Sequence, residues 1–390
     1  MGWSLEQREK IDILVSIYEN QSQVRRKPKR LLEASTRTAE NVTTNSESLR
    51  EFLLTADRCR AMGSPFVASV LEAVVRQLHH GRASAAMIRE WPSDPAAAAL
   101  ALRMNGALHA LARRQTPPML AQLYRGEHHD FDGAVALALS EQDEFIAEWI
   151  RHPTQTNEVA RAGAIMAALM TASQMWKMPF DLLELGSSCG LNLNLDRYAY
   201  NLGGVEAGDP LSTVRIEPIW RGPPPPTAAV SFASARGVDL HPLDASDDRD
   251  RERLLSFAWA DQPARMARLE KALEIARTYP PRVDQDHAPI WLARRLAEPQ
   301  TEGRCRLVVH TMFLQYLDLQ QRKELIRVLE TAGARASTTR PLAWISFEWT
   351  SDRREVELRL TSWPDGGPRV LAKCHPYGDV VEWQPGPAGR

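Results

Sequence analysis

Residues Phe180 to Asp196 read FDLLELGSSCGLNLNLD, and the interpretation of this stretch decides the fold. A short apolar run from Phe180 to Glu184 meets a turn of small residues, and an amphipathic run follows from Leu191. That order predicts strand, tight loop and helix. Gly186 and Gly190 accept backbone angles closed to other residues and let a ligand come close to the main chain. Ser188 keeps the turn narrow. A helix opening after Gly190 would aim unpaired N–H groups at whatever lies over the loop. Glu184, at the carboxyl end of the strand, is placed to accept from a ligand hydroxyl or ammonium. The dinucleotide spacing G-x-G-x-x-G is not matched.

At 390 residues with 44% apolar content, the chain is long enough for two domains with real cores. Lys and Arg total 48 against 49 Asp and Glu, a near-neutral balance that disfavours a nucleic-acid partner. The four cysteines are scattered, with no C-x-x-C pair, so neither a zinc site nor a disulfide framework is indicated. No metal site is expected. With no long apolar run and no export signal, the reading is a cytoplasmic protein that does not span a membrane.

Residues 1–48 read as a flexible tail: the basic cluster Gln23 to Arg30 and the polar stretch Thr36 to Ser48 offer little to bury. Residues 49–176 carry helical periodicity almost throughout, predicting an all-helical domain of about five or six helices. Its last helix begins near His152 to Arg161. If the start of that helix faces a cleft, it presents Gln155, Asn157, Glu158 and Arg161 to a substrate. Glu158 and Arg161, three apart, share a face.

Residues 177–390 alternate strand and helix, with an insertion at about 200–227 that reads as a hairpin and a proline spacer. A second central strand ends at Asp239, where a nucleoside-binding sheet carries an acid that accepts the two ribose hydroxyls. A third short strand runs into the acidic turn at Asp286. Cys305 to Phe313 is a buried strand that brings His310 to the crevice at its carboxyl end, with Gln315 and Tyr316 on the loop beyond. Leu342 to Glu348 is a fifth strand. The runs Val356 to Leu360, Val370 to Cys374 and Val380 to Trp383 make an antiparallel edge.

The spacing Glu184-x-Gly186-x-Ser188-x-Gly190 resembles motif I of the class I S-adenosylmethionine-dependent methyltransferases, with Ser188 standing for the middle glycine. LLELGSSCGLNL, with QTNEVARA before it and WRG, GVDLHPLD and PLAWISFE after it, also resembles an uncharacterised bacterial domain family assigned to that superfamily. This second likeness spans roughly Phe52 to Trp383. It implies an α/β fold: a Rossmann-like, mostly parallel sheet of seven strands with an antiparallel terminal strand, preceded by the helical domain.

The implied cofactor is S-adenosylmethionine, held by Glu184, Gly186, Ser188, Gly190 and Asp239, with Asp286 accepting from the adenine amino group. The implied reaction is methyl transfer to O or N of a small molecule, with His310 as first candidate base and Glu158 as second. Gln155, Asn157, Arg161, Gln315 and Tyr316 are the candidate substrate contacts. No Asn-Pro-Pro-Tyr follows the fourth strand, which argues against amino-directed methylation of adenine or glutamine. Two alternatives stand beside this reading: a regulatory module that binds nucleotide or S-adenosylmethionine without transfer, and an NAD(P)-dependent Rossmann oxidoreductase.

Overall fold

The structure, a computed structural model, describes residues 47–155, 157–364 and 366–384. Apart from Glu47 and Ser48, the expected tail lies outside the described residues. In chain order the helices are α1 (Glu47–Ala61), α2 (Pro65–Gln77), α3 (Ala83–Arg89), α4 (Leu100–Arg113), α5 (Pro118–Tyr124), α6 (Phe131–Glu141), α7 (Asp143–Arg151) and α8 (Arg161–Trp176). Then come the strands β1 (Phe180–Leu185), β2 (Ala199–Leu202), β3 (Val205–Gly208), β4 (Arg215–Ile216), β5 (Ile219–Arg221) and β6 (Phe232–Asp239). Helices α9 (Asp248–Phe257) and α10 (Pro263–Thr278) lead to β7 (Val283–Gln285), α11 (Ala288–Ala297), β8 (Cys305–Thr311), α12 (Leu319–Gly333) and β9 (Leu342–Trp349). Strands β10 (Val356–Trp363), β11 (Arg369–Cys374) and β12 (Val380–Trp383) finish the chain.

The chain divides into two compact units, and the division differs from the expected one. The helical unit runs to Asn157 and also takes Ser246–Glu270, while α8 belongs to the unit that holds the sheet. Polar contacts explain why the later segment joins the helices. Asp261 accepts from Ser64 Oγ at 2.5 Å and Phe66 N at 3.1 Å, satisfying the start of α2. Arg114 forks onto Glu252 with both N···O distances at 2.6 Å, and His109 Nδ1 lies 3.1 Å from the Ser256 carbonyl. The core of this unit is the apolar face of α4, with Leu100, Met104, Leu108 and Leu111 all buried.

The other unit is built on a nine-stranded sheet in the order β5-β12-β11-β10-β9-β8-β1-β6-β7. The run from β7 to β9 is parallel, and β9, β10, β11 and β12 pair antiparallel in succession. Parallel strands covered on both faces need near-continuous apolar runs, which FDLLEL and CRLVVHT supply. On one face Trp291 and Leu292 of α11 and Leu325 and Leu329 of α12 close over Leu183, Leu185, Val308, Leu342 and Trp344. Helix α8 packs on β9, β10 and β11.

The expected count of seven strands is corrected to nine. Only six residues, 350–355, separate β9 from β10, too few for a crossover helix, so β10 folds back as a hairpin partner. The insertion divides its strands between two sheets. β3-β2-β4 form a small sheet of their own, while β5 pairs parallel with β12 at the edge of the large one. The helix expected after Gly190 is a short 3-10 segment, Leu191–Arg197, kinked at Asn194. Tyr198 and Tyr200, both buried, pin it by donating to the carbonyls of Leu191 and Leu195 at 2.6 Å each.

Candidate functional site

The chain crosses from β1 to β6 and β7 on one side, then returns to β8 on the other, so strand order reverses at β1. In open α/β sheets ligands bind beyond the carboxyl ends of the strands at such a reversal. Glu184 is there, level with Gly237 of β6 and Val309 of β8. Side chains alternate faces along a strand, so Glu184 shares its face with Gly237 and Asp239.

Glu184 is 3% exposed and poorly satisfied. Its Oε1 accepts from Asn192 Nδ2 at 2.8 Å, while Oε2, also buried, has no hydrogen-bond partner among the described residues. Burial pushes its carboxyl up to about 8, with the Asn192 hydrogen bond and the nearby Ser187 hydroxyl, which donates to the Glu184 backbone carbonyl at 3.0 Å, opposing and the Asp239 charge adding to the rise. Buried polar atoms are nearly always bonded, so an orphaned carboxyl oxygen at a strand end marks a place for a hydrogen-bonding partner.

Asp239 half-faces solvent and closes the turn. Its Oδ2 accepts from Ser188 N at 2.8 Å and its Oδ1 from His241 N at 2.9 Å, which leaves lone pairs on both oxygens. Three further N–H groups of the turn are spent internally. Gly186 N and Ser187 N both reach the Val238 carbonyl, at 2.9 and 3.1 Å, and Gly190 N reaches the Ser187 carbonyl at 2.7 Å. Ser188 itself sits at φ +52°, in the left-handed region that the motif's middle glycine enters freely.

Gly186 is a glycine for packing as well as for its turn. At φ +68°, a Cβ there would come within 2.6 Å of the Phe313 ring, so that side of the turn is filled by the protein's own side chain. The expected ligand approach on this side is corrected accordingly. A pyrophosphate is also poorly served, because it needs free N–H groups at the start of a helix, and here the Gly186, Ser187 and Gly190 N–H groups are engaged ahead of a short 3-10 segment.

Asp286 does not join Glu184 and Asp239. It follows Asp284 by two residues, and Asp284 is level with Val238, on the opposite face from Asp239. There Arg294 of α11 ion-pairs with Asp286, whose other oxygen accepts from His287 N at 2.7 Å. The expected adenine contact is therefore committed to α11.

His310 is level with Leu185, not Glu184, and so faces the core beneath α11 and α12. It is 0% exposed, with both ring nitrogens engaged: Nδ1 lies 2.7 Å from Glu348 Oε1, and Nε2 accepts from Trp344 Nε1 at 2.9 Å. With neither nitrogen open, the geometry argues against His310 as a base. Glu158, the second candidate, is buried and its Oε1 accepts from Ala160 N at 3.2 Å, closing its own turn. The start of α8 is covered as well. Arg161 Nε donates to the Pro376 carbonyl at 2.8 Å, and a Cβ on Gly378 would stand 2.7 Å from Arg161 N.

Helix α8 begins only at Arg161, so Gln155, Asn157 and Glu158 precede it and the four do not form one helical face. Among the described residues Asn157 Nδ2 is buried with no hydrogen-bond partner. Gln315 and Tyr316 lie exposed on the loop after β8, Gln315 donating to the Met312 carbonyl at 2.9 Å and Tyr316 being 63% exposed. Sequence reasoning passed over Asn192, which donates to Glu184 Oε1, and over Glu348, which meets His310. A charge inside LAWISFEW, an otherwise uncharged strand, was the available signal for the second.

Among the described residues no helix is long and apolar enough to cross a membrane, and no cluster of three or more His, Cys, Asp or Glu could hold a metal ion. No curated protein and no solved structure matches this sequence. A family model matches residues 49–383, and the chain belongs to that family, an uncharacterized protein conserved in bacteria (DUF2332).

Proposed function

We propose that this protein binds S-adenosylmethionine at the carboxyl ends of β1 and β6 and transfers its methyl group to a small acceptor. The observation that carries the reading is the unsatisfied Glu184 Oε2 beside Asp239, where strand order reverses. The parallel order β7-β6-β1-β8-β9 supports a Rossmann-like arrangement with β1 at its centre. Asp239 would accept the ribose hydroxyls through its remaining lone pairs, and Glu184 a hydroxyl or ammonium donor. Bound there, S-adenosylmethionine supplies an activated methyl group. The chain's own part is to orient the reactants and exclude water, which is most of what methyl transfer requires.

The engaged nitrogens of His310 favour a second reading, a module that binds the cofactor without transfer. The engaged N–H groups of Gly186, Ser187 and Gly190 weigh against an NAD(P)-dependent oxidoreductase.

Thermal shift and calorimetry with S-adenosylmethionine, S-adenosylhomocysteine and NAD(P) test the reading, since a ligand of the native state raises stability by mass action. S-adenosylhomocysteine is expected to raise the melting temperature, and Glu184→Ala and Asp239→Ala to abolish the rise. Equal binding by these variants, or a response to NAD(P) alone, would overturn it. Binding without transfer of labelled methyl to any acceptor would select the second reading.

A further inference from the structure

The corner after β8 is held from a single atom. Glu348 Oε1, near the end of β9, accepts from His310 Nδ1 at 2.7 Å, Phe313 N at 2.8 Å and Leu314 N at 3.2 Å. The indole N–H of Trp344 fixes the direction of the first bond. It can only donate, so Nε2 of His310 must accept, and the imidazole proton stands on Nδ1, pointing at the carboxylate. His310 is 0% exposed and Glu348 7%, so the network is closed off from water.

Between His310 and Phe313 the chain passes through Met312 at φ +52°, a conformation that a side chain with a Cβ disfavours and that surrounding bonds must impose. Met312 N is tied to the Phe347 carbonyl at 2.8 Å. The result is to lay the Phe313 ring against Gly186, where no Cβ would fit. A carboxylate on β9 thus shapes the glycine turn on β1, two strands away in the sheet.

We propose that Glu348 is a positioning residue for the β1 site, acting through Phe313, and this rests on the reading of that turn as a ligand site. The carboxylate holds the corner, the corner holds the ring, and the ring fixes the turn that carries Gly186 and the Ser188 N–H bonded to Asp239. Three charge-assisted bonds to one oxygen are stronger than an amide would make, which accounts for an acid in an otherwise uncharged strand.

The test uses the full chain, with glycine labelled for NMR, the Gly186 signal assigned from its loss in Gly186→Ala, and S-adenosylhomocysteine as the probe ligand. In the wild type the Phe313 ring current should shift the Gly186 α-protons from their ordinary position. Glu348→Gln keeps size and one acceptor oxygen; Phe313→Leu keeps apolar bulk and leaves the buried pair intact. Both should return the Gly186 signal toward its ordinary position and weaken S-adenosylhomocysteine about tenfold. An unmoved Gly186 signal and unchanged affinity in Glu348→Gln would end the proposal. Should that variant fold poorly, unchanged affinity in Phe313→Leu decides against it just as well. A wild-type chain that fails to bind the ligand overturns the reading of the site; the Gly186 signal then separately decides the coupling between Glu348 and the turn.

Discussion

Glu184 on β1 and Glu348 on β9 are both buried glutamates near the carboxyl ends of parallel strands, with only β8 between them. Their surroundings are opposite. One oxygen of Glu348 takes three hydrogen bonds, two from backbone N–H groups and one from an imidazole. Glu184 takes one from Asn192, and its second oxygen takes none among the described residues. A folded chain keeps a buried, unsatisfied carboxyl only against a cost of about 1–3 kcal/mol. The acid with three bonds on one oxygen is therefore part of the architecture, and the poorly bonded one is where a ligand is to be sought.

The contrast breaks most sharply at Glu348. Glu348→Leu strands the His310 Nδ1–H and the N–H groups of Phe313 and Leu314 without their acceptor. It should cost about 4 kcal/mol in urea unfolding, since each buried donor left without an acceptor costs about 1–3 kcal/mol. A loss under about 1 kcal/mol would mean that the two glutamates do not differ in kind.

Gly186→Ala comes next, at about 3 kcal/mol. A left-handed φ of +68° costs alanine about 1–2 kcal/mol, and the collision with Phe313 adds overpacking. If Phe313→Ala is introduced with it, the overpacking part should return, and equilibrium unfolding of the double variant would measure it.

At Glu184 the expected effect depends on pH. Its folded-state pKa, about 8, lies above its ordinary 4.5, so the native protein keeps a proton that the unfolded chain releases. The stability from this group is fully present below about 4.5 and is lost as pH rises through about 8. Glu184→Gln, which cannot ionise, should therefore lose part of the wild type's decline between pH 5 and 9. At pH 9 it should be the more stable of the two by on the order of 2 kcal/mol, below the ceiling of roughly 5 that a rigid site would give. Parallel curves for the two proteins would show that water reaches the carboxyl.

The parts of this design that were legible in the sequence are those written as near-continuous apolar runs with a polar residue at or near the carboxyl end. FDLLEL and CRLVVHT announce buried parallel strands, and Glu184 and Asp239 announce their carboxyl ends. The facing of the side chains was not legible. A strand apolar on both sides has no alternation to tell its faces apart, so His310 and Asp286 looked like neighbours of Glu184 when each is displaced by one residue onto the α11 side. Glu348 acquires meaning only once register sets β9 beside β8. Leu191, Leu193 and Leu195 alternate by two rather than by a helical period, and two tyrosines further on hold that segment in its 3-10 form.

The smallest effect expected is at Ser188, and it sharpens the comparison from within the turn. Ser188 occupies the left-handed region at φ +52°, where glycine would relieve roughly 1 kcal/mol of strain. Glycine also widens the unfolded ensemble, at a cost of about 0.4–1 kcal/mol, so the two terms nearly cancel. The contribution to Asp239 comes from the Ser188 backbone N–H and survives the change. Ser188→Gly should therefore unfold within about 0.5 kcal/mol of wild type and bind S-adenosylhomocysteine unchanged. A loss beyond about 1 kcal/mol, or weakened binding, would move the functional weight of this position from its main chain to its hydroxyl, and Glu184 would no longer be the one incompletely satisfied group on which the site turns.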